Sequence, residues 1–355
     1  MESAYRWPWP AILAAMVVIV AGMRAAAGLL EPFLLAIFIS IVCAPAVAAL
    51  RNRGCPEALA VSGVMAALIL FMAAAAVAVG ASVNGFLRAL PGYREVLDER
   101  LAGVYAWLAD HGMNVEEGML AEQLDPGMMM NLAGQVAGHF GSVLGNLFLV
   151  LLTVAFVLLE ASRFPAKLQA SMGDAGAGLS AFKRFATGVN QYLAIKSLVS
   201  LATGALVTLW MWWLEVDYPL LWGALAFLFN YIPNIGSFLA AIPACLLAFV
   251  LHGTGLALVA AAGFAVINTV MGSLLEPRLM GRSLGLSTLV VFLSMVFWGW
   301  VLGPVGMVLS VPLTMILRIA LESRDDTRWL AVLLGPEVRE WKAGRGAEES
   351  GELSP

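Results

Sequence analysis

The chain has 355 residues, of which 61% are hydrophobic and only 12% charged. Soluble domains carry about 25% charged residues, so about half the usual means of facing water is missing, and the deficit is gathered into long apolar runs. The net charge of −4 leaves no electrostatic footprint for nucleic acid, and three scattered cysteines (Cys43, Cys55 and Cys245) match neither a metal site nor a redox pair.

Many of the runs approach the ~20 residues a helix needs to cross ~30 Å of hydrocarbon. Inside a bilayer only helices and closed barrels satisfy their own backbone polar groups. The runs are continuous rather than alternating, which selects helices. The predicted fold is an all-α polytopic integral membrane protein. It has about eight transmembrane helices, one or two broken or re-entrant helical hairpins, and an extracytoplasmic helical region.

In chain order, Met1 to Pro10 lacks the charged start and small-residue cleavage site of a removable signal peptide, so the first run is expected to stay as an anchor. That run, Ala11 to Leu30, is interrupted only by Arg24, and Glu31-Pro32 predicts a turn because proline disfavours helical geometry in the residue before it. Phe33 to Leu50 follows, then the basic loop Arg51-Asn52-Arg53-Gly54, then a third run from Ala58 to Val83, so residues 1–83 hold three transmembrane helices.

Residues 84–139 are polar and amphipathic and form the expected extracytoplasmic region. Leu87, Leu90, Leu97, Leu101, Val104 and Leu108 follow three-and-four spacing, with Arg94 at the missing position. Such a seam either packs on the protein's own membrane body or meets another subunit. Asp125-Pro126 reads as a helix start, with an N-cap carboxylate before a first-turn proline. That helix is expected to continue into the fourth transmembrane segment, residues 140–162. Along it Gly134, Gly138, Gly141 and Gly145 share one face, and small residues let helix backbones approach closely in lipid. The seam and the stripe both permit a homo-oligomer.

Residues 163–190 form a second basic connection, with Arg163, Lys167, Lys183 and Arg184. The fifth run, Tyr192 to Leu214, ends in Trp210, Trp212 and Trp213 beside Glu215 and Asp217, an aromatic belt that marks a membrane boundary. The apolar stretches Leu220–Ile232, Ile235–Leu251, Leu256–Leu275, Leu286–Trp300 and Val305–Ala320 complete a C-terminal core over residues 191–321, and the first and fourth of them are too short to cross comfortably. A charged tail, residues 322–355, closes the chain. Placing the basic connections in the cytoplasm puts both termini there and residues 84–139 outside.

Two segments break the apolar monotony. Asn230-Tyr231-Ile232-Pro233-Asn234-Ile235-Gly236, with Pro243 beyond, brings amides and a lost backbone hydrogen bond into an apolar setting. Irregular backbone at membrane depth is tolerated where it is buried in protein or lines an aqueous cavity. The segment therefore reads as the tip of a hairpin around Pro233–Gly236, or else as an interfacial joint between two ordinary helices. In the second segment Asn268 lies deep in an apolar run and Glu276-Pro277 near a membrane end. Acidic residues near the bilayer often mark ion or substrate pathways; alternatively Glu276 pairs with Arg278, Arg282 or a backbone donor. Gly303-Pro304-Val305-Gly306 and Pro312 point to a second broken hairpin.

These motifs carry a resemblance. Asn230 to Gly236 with Pro243 is similar to the Asn-x-Ile-Pro-x-x-Gly signature of a predicted-permease family that contains the autoinducer-2 exporters, the AI-2E family transporters. Leu275-Glu276-Pro277 followed by Met280 to Ser287, and Gly303 to Gly306 followed by Val311-Pro312, resemble its next two signatures in the same order. The front half is similar in layout only. The resemblance implies a transporter whose core includes Asn230, Pro233, Gly236, Asn268, Glu276 and Pro277, with solute export and sodium- or proton-coupled exchange both on offer.

No catalytic grouping, metalloprotease spacing or nucleotide-binding loop is present in the sequence, so no catalytic or metal residue and no cofactor is assigned. The expected activity is secondary transport, most simply outward, of a small polar solute across the bacterial cytoplasmic membrane. Asn230 and Asn234 supply uncharged hydrogen bonds, and Glu276 exchanges a proton or sodium ion. The expected partners are the lipid bilayer, that solute and its coupling ion. A sodium or cation/proton antiporter centred on Glu276 and a non-transporting membrane scaffold are the two rivals.

Overall fold

A computed structural model of the chain describes residues 9–110, 146–161, 167, 176–232, 236–280, 286–322 and 327–335. The predicted helix start at Asp125-Pro126 and the Gly134, Gly138, Gly141 and Gly145 stripe lie outside these residues. The described residues are helical throughout, with no strand among them. By length and composition five stretches suit a membrane crossing: Ala27–Asn52, Glu57–Tyr93, Thr187–Trp213, Thr254–Met280 and Thr288–Glu322. The chain is an all-helical polytopic membrane protein. It divides into two compact units, one comprising Met1–Pro45, Leu149–Tyr192 and Ser283–Pro355, the other Ala46–Phe148 and Leu193–Arg282.

The first unit opens with α1, Trp9–Ala25, and α2, Ala27–Asn52, of which it holds the first part. The predicted turn at Glu31-Pro32 is not where the chain breaks. The joint falls at Ala26, and Glu31 and Pro32 lie inside α2. The N–H of Ala26 donates to the Gly22 carbonyl at 2.9 Å, and that of Leu30 to the Ala26 carbonyl at 2.9 Å, so helical bonding is nearly continuous through the joint. Pro32 is accommodated inside the helix, without the backbone bond that its missing N–H would have made. Arg24, the one charge in the first apolar run, lies 4.4 Å over the Trp300 ring, a cation–π contact.

The C-terminal helix of this unit, α10 (Thr288–Glu322), is not one rod. Leu302 (φ −123°, ψ 18°) and Gly303 (φ 59°, ψ −152°) leave helical geometry, and the second is a conformation essentially reserved for glycine. In a straight helix residues eight apart are separated by ~12 Å. Here a Cβ on Gly306 would overlap the Trp298 carbonyl, and one on Gly299 would lie 2.7 Å from the Met307 side chain. The indole N–H of Trp298 also donates to Thr314 Oγ1 at 3.0 Å. The chain has doubled back into arms 288–301 and 304–322, with Pro304 starting the second arm as a first-turn proline should. The expected second hairpin is present. A short helix, α11 (Arg328–Leu333), packs on it, and the Leu334 carbonyl accepts from the Ser287 N–H at 3.2 Å.

The second unit is built on α3, a 54-residue helix from Glu57 to Asp110 that runs without a break from the apolar run into the amphipathic region. Of the leucine seam, Leu90 joins the core of this unit and Leu97 is buried against Val250, with Tyr93, Leu246 and Phe249 around it. At these two positions the seam packs on the chain's own body.

α5 (Gly176–Trp213) contributes its part from Leu193 onward, followed by α6 (Pro219–Phe229), α7 (Gly236–His252) and α8 (Thr254–Asn268). In chain order α4 (Leu147–Ala161) lies between α3 and α5, most of it in the first unit, with Val150, Val154 and Leu158 buried at a spacing of four. Phe86, Met211, Trp222, Ala244, Leu247 and Phe264 lie at the centre of the second unit. Hydrophobicity does not separate protein from lipid tails, so close packing of small residues carries the association. Gly204 of α5 and Gly223 of α6 bring their backbones together: a Cβ on Gly223 would overlap Thr208 Oγ1 and lie 2.6 Å from the Gly204 carbonyl oxygen.

Candidate functional site

The inward face of α5 can be read off its burial pattern. Leu193, Lys196, Ser200, Thr203, Val207 and Met211 are buried at three-and-four spacing, while Leu198, Leu201, Leu209, Trp212 and Trp213 are exposed on the other side. The inward stripe is apolar toward Met211 and polar toward Lys196. Lys196 precedes Trp213 by 17 residues, ~26 Å of helix, so it lies toward the boundary of a ~30 Å slab opposite the tryptophans.

Lys196 is paired. Its ammonium donates to both Glu276 carboxylate oxygens, at 2.8 and 2.9 Å, and the two side chains are 8% and 16% exposed. The alternative partners considered for Glu276 from sequence were Arg278 and Arg282; the former is exposed and makes no such bond, and the latter lies outside the described residues. Breaking a buried pair by removing one member leaves an uncompensated charge.

One helical turn along, the hairpin meets the same stripe. α6 ends at Phe229, and the Asn230 side-chain amide donates to Ser200 Oγ at 2.9 Å. The Tyr231 hydroxyl donates to Ser197 Oγ at 2.9 Å. At 11 residues α6 is ~16 Å long, too short to cross, and it packs against the 17-residue α7. Gly236 makes the reversal tight: a Cβ there would overlap the Phe229 carbonyl oxygen. The hairpin reading, rather than two ordinary helices meeting at an interface, is the one the geometry supports. Its predicted tip residues Pro233 and Asn234 lie outside the described residues.

Glu276 owes its position to a backbone irregularity. α8 ends at Asn268, and Thr269–Leu275 follows as a seven-residue π-helical stretch leading directly into α9 (Glu276–Met280). The Glu276 N–H donates to the Met271 carbonyl, five residues back. A proline ring collides with the carbonyl four residues upstream in an α-helix, and a wider π register ahead of Pro277 relieves that collision. π-Helical turns inside α-helices are frequent at functional sites. Asn268 marks the first end of the stretch, half-buried and without a side-chain capping bond, and Glu276 the second.

The structure thus brings Asn230 and Glu276 to adjacent turns of one helix face. Gly236 and Pro277 shape the backbone on either side, and Asn268 begins the irregular stretch. Sequence reasoning did not place Lys196, Ser197, Ser200 and Tyr231 in the site. A lysine inside a transmembrane run was itself the available signal for the first of them. With the Asn230 amide they place neutral polar groups beside one ion pair, chemistry suited to hydrogen-bonding a small polar molecule or an ion.

Farther along, the α5–α6 loop closes on α3. The Tyr93 hydroxyl donates to Asp217 Oδ2 at 2.5 Å and the Trp222 indole to the Asp217 carbonyl at 2.9 Å. Glu215 and Tyr218 adopt positive φ, 56° and 57°, uncommon for residues with side chains. The Tyr218 ring packs edge-on to Phe86, 6.0 Å between centroids.

A family model described as AI-2E family transporter matches residues 13–324. Among curated proteins, AI-2 transport protein TqsA of Escherichia coli is 42% identical over 323 residues, covering 91% of this chain and 94% of the relative. A putative transport protein of Haemophilus influenzae is 40% identical over 338 residues, 93% and 96% of the two chains. Putative transport protein YhhT of Escherichia coli is 35% identical over 324 residues, 91% and 93%. A family match over nearly the whole length, on an all-helical membrane fold with a polar site inside it, gives the conclusion: the chain belongs to the AI-2E family of membrane transporters.

Proposed function

We propose that this transporter exports autoinducer-2 or a closely similar small polar solute across the bacterial cytoplasmic membrane, and that export is coupled to a sodium ion or proton at Glu276. The observation that carries the reading is the polar stripe of α5, where Lys196–Glu276, Asn230–Ser200 and Tyr231–Ser197 are gathered in an otherwise apolar interior. Uncharged donors and acceptors match a hydroxylated solute, and a broken helix beside them frees backbone groups for ions or polar ligands. The name of the TqsA relative supports the choice of solute.

In this reading Asn230, Asn234, Asn268 and Glu276 face the pathway, and Pro233, Gly236 and Pro277 hold its irregular backbone. Both termini lie in the cytoplasm in this reading, an orientation that the basic connections favour. Purified protein in proteoliposomes is expected to move autoinducer-2 but not unrelated polyols, faster under an imposed sodium or proton gradient. Absence of autoinducer-2 flux under every gradient would sink the solute assignment. Flux unchanged by joint substitution of Asn230 and Glu276 would sink the assignment of the site.

A further inference from the structure

Lys196 and Glu276 are buried with very few partners. An ammonium has three donors and an ionised carboxylate about four acceptor sites. Among the described residues, Lys196 Nζ meets no acceptor beyond the two Glu276 oxygens, and the Glu276 carboxylate meets no donor beyond Lys196. Each charge is neutralised, among the described residues, by the other. Around them lie neutral oxygens: Ser197 next in sequence, Ser200 one turn on, and the Asn230 amide, whose nitrogen is already engaged by Ser200. The two partners also differ in their backbones. Lys196 rides on the regular α5 helix, whereas Glu276 sits where the π-helical stretch gives way to Glu276-Pro277.

We propose that Lys196 is a resident counter-cation of Glu276, displaced when a small monovalent metal cation, with sodium as the probe, takes its place on the carboxylate. This deepens the coupled-export reading of the same site and rests on it. The ammonium already occupies the bidentate position a cation would take, within 2.9 Å of both oxygens. Ser200 and Asn230 stand one turn along the same helix face, and broken transporter helices offer sodium neutral oxygen ligands of this kind. When the metal enters, the site passes from neutral to one net positive charge. Affinity is thereby kept low and the cation exchangeable, and the released ammonium turns toward the hydroxyls of Ser197 and Ser200. Lys196 acts through Glu276 and is a positioning residue, with sodium affinity as its readout.

Full-length protein in detergent is titrated with sodium chloride against choline chloride at constant ionic strength and pH, following tryptophan fluorescence and thermal unfolding. Lys196→Met is expected to lower the half-saturating sodium concentration about tenfold or more, because close buried charge pairs couple at least that strongly. Glu276→Gln abolishes the response. The double variant Lys196→Met with Glu276→Gln, which leaves no lone charge, folds and does not respond. If Lys196→Met alone does not fold, Lys196→Arg decides: its forked guanidinium holds the carboxylate more firmly, so the sodium requirement rises. An unchanged requirement in these lysine variants, or a response that survives in folded Glu276→Gln, overturns the proposal. Autoinducer-2 flux by protein with no sodium response also overturns it and leaves the transport reading intact. A sodium response without solute flux keeps the counter-cation and removes the solute assignment.

Discussion

Gly223→Ala adds one methyl group at the point where α5 and α6 touch. The new Cβ would lie 2.6 Å from the Gly204 carbonyl oxygen, about 0.8 Å short of the 3.4 Å at which ordinary contact begins. Thr208 can turn its hydroxyl aside, but it donates to that same Gly204 carbonyl at 2.9 Å, and the carbonyl belongs to the α5 backbone. The helices must therefore separate by most of that distance, a small-to-large strain of about 1–3 kcal/mol. The Asn230–Ser200 and Tyr231–Ser197 bonds span the same pair of elements and stand at 2.9 Å. A shift of this size stretches them to about 3.7 Å, beyond hydrogen-bonding range. Thermal unfolding in micelles should fall, and solute flux in proteoliposomes should fall further than Asn230→Ala alone reduces it. Pairing Gly223→Ala with Thr208→Ala should recover only part of the loss, because the backbone contact remains. Wild-type stability and flux in Gly223→Ala, or full recovery in the pair, would refute the claim that the two backbones set the spacing of the polar stripe.

The same geometry yields three more expectations. Lys196→Met and Glu276→Gln should each lower unfolding stability by about 3–5 kcal/mol, with the double variant well below the sum; an additive cycle would show the pair is not coupled. Pro277→Ala removes the ring collision that favours the π register. It should reduce flux and sodium response with little change in unfolding temperature, and an unaltered flux would detach the π-helical stretch from function. Gly303→Ala forces a side chain into φ 59°, ψ −152° and should cost about 1–3 kcal/mol, read as a lower unfolding midpoint; no shift would contradict the doubled-back geometry.

The two hairpins were legible because their cause is local. Pro and Gly clusters in Asn230–Gly236 and Gly303–Gly306 cannot continue a helix, and the sequence shows them directly. Glu276 stood out as an acid beside a proline in an apolar setting. Its partner did not, because Lys196 lies 80 residues away and nothing in the spacing of either run says which helix faces which. Ser197 and Ser200 were hidden for the same reason: a serine in a membrane helix reads identically whether it bonds its own helix, as Ser40 does to the Ala36 carbonyl at 2.7 Å, or a neighbour. The seam on α3 was visible, but spacing alone left open what covers it, and Val250 provides the answer at Leu97. The turn expected at Glu31-Pro32 weighed proline's local preference, whereas α2 carries both Pro32 and Pro45 inside it.

The doubled-back α10 has a consequence for sidedness. Residues 288–322 are apolar enough over 35 residues to pass for one crossing, and a count by length alone assigns its two flanking segments to opposite compartments. Because the chain reverses at Leu302–Gly303, its second arm returns toward the end at which the first began. The described residues flanking the hairpin accordingly meet, the Ser287 N–H donating to the Leu334 carbonyl at 3.2 Å. One glycine conformation thus sets the direction in which the chain leaves this helix, so that straightening it would part Ser287 from Leu334 as well as change the shape of the helix.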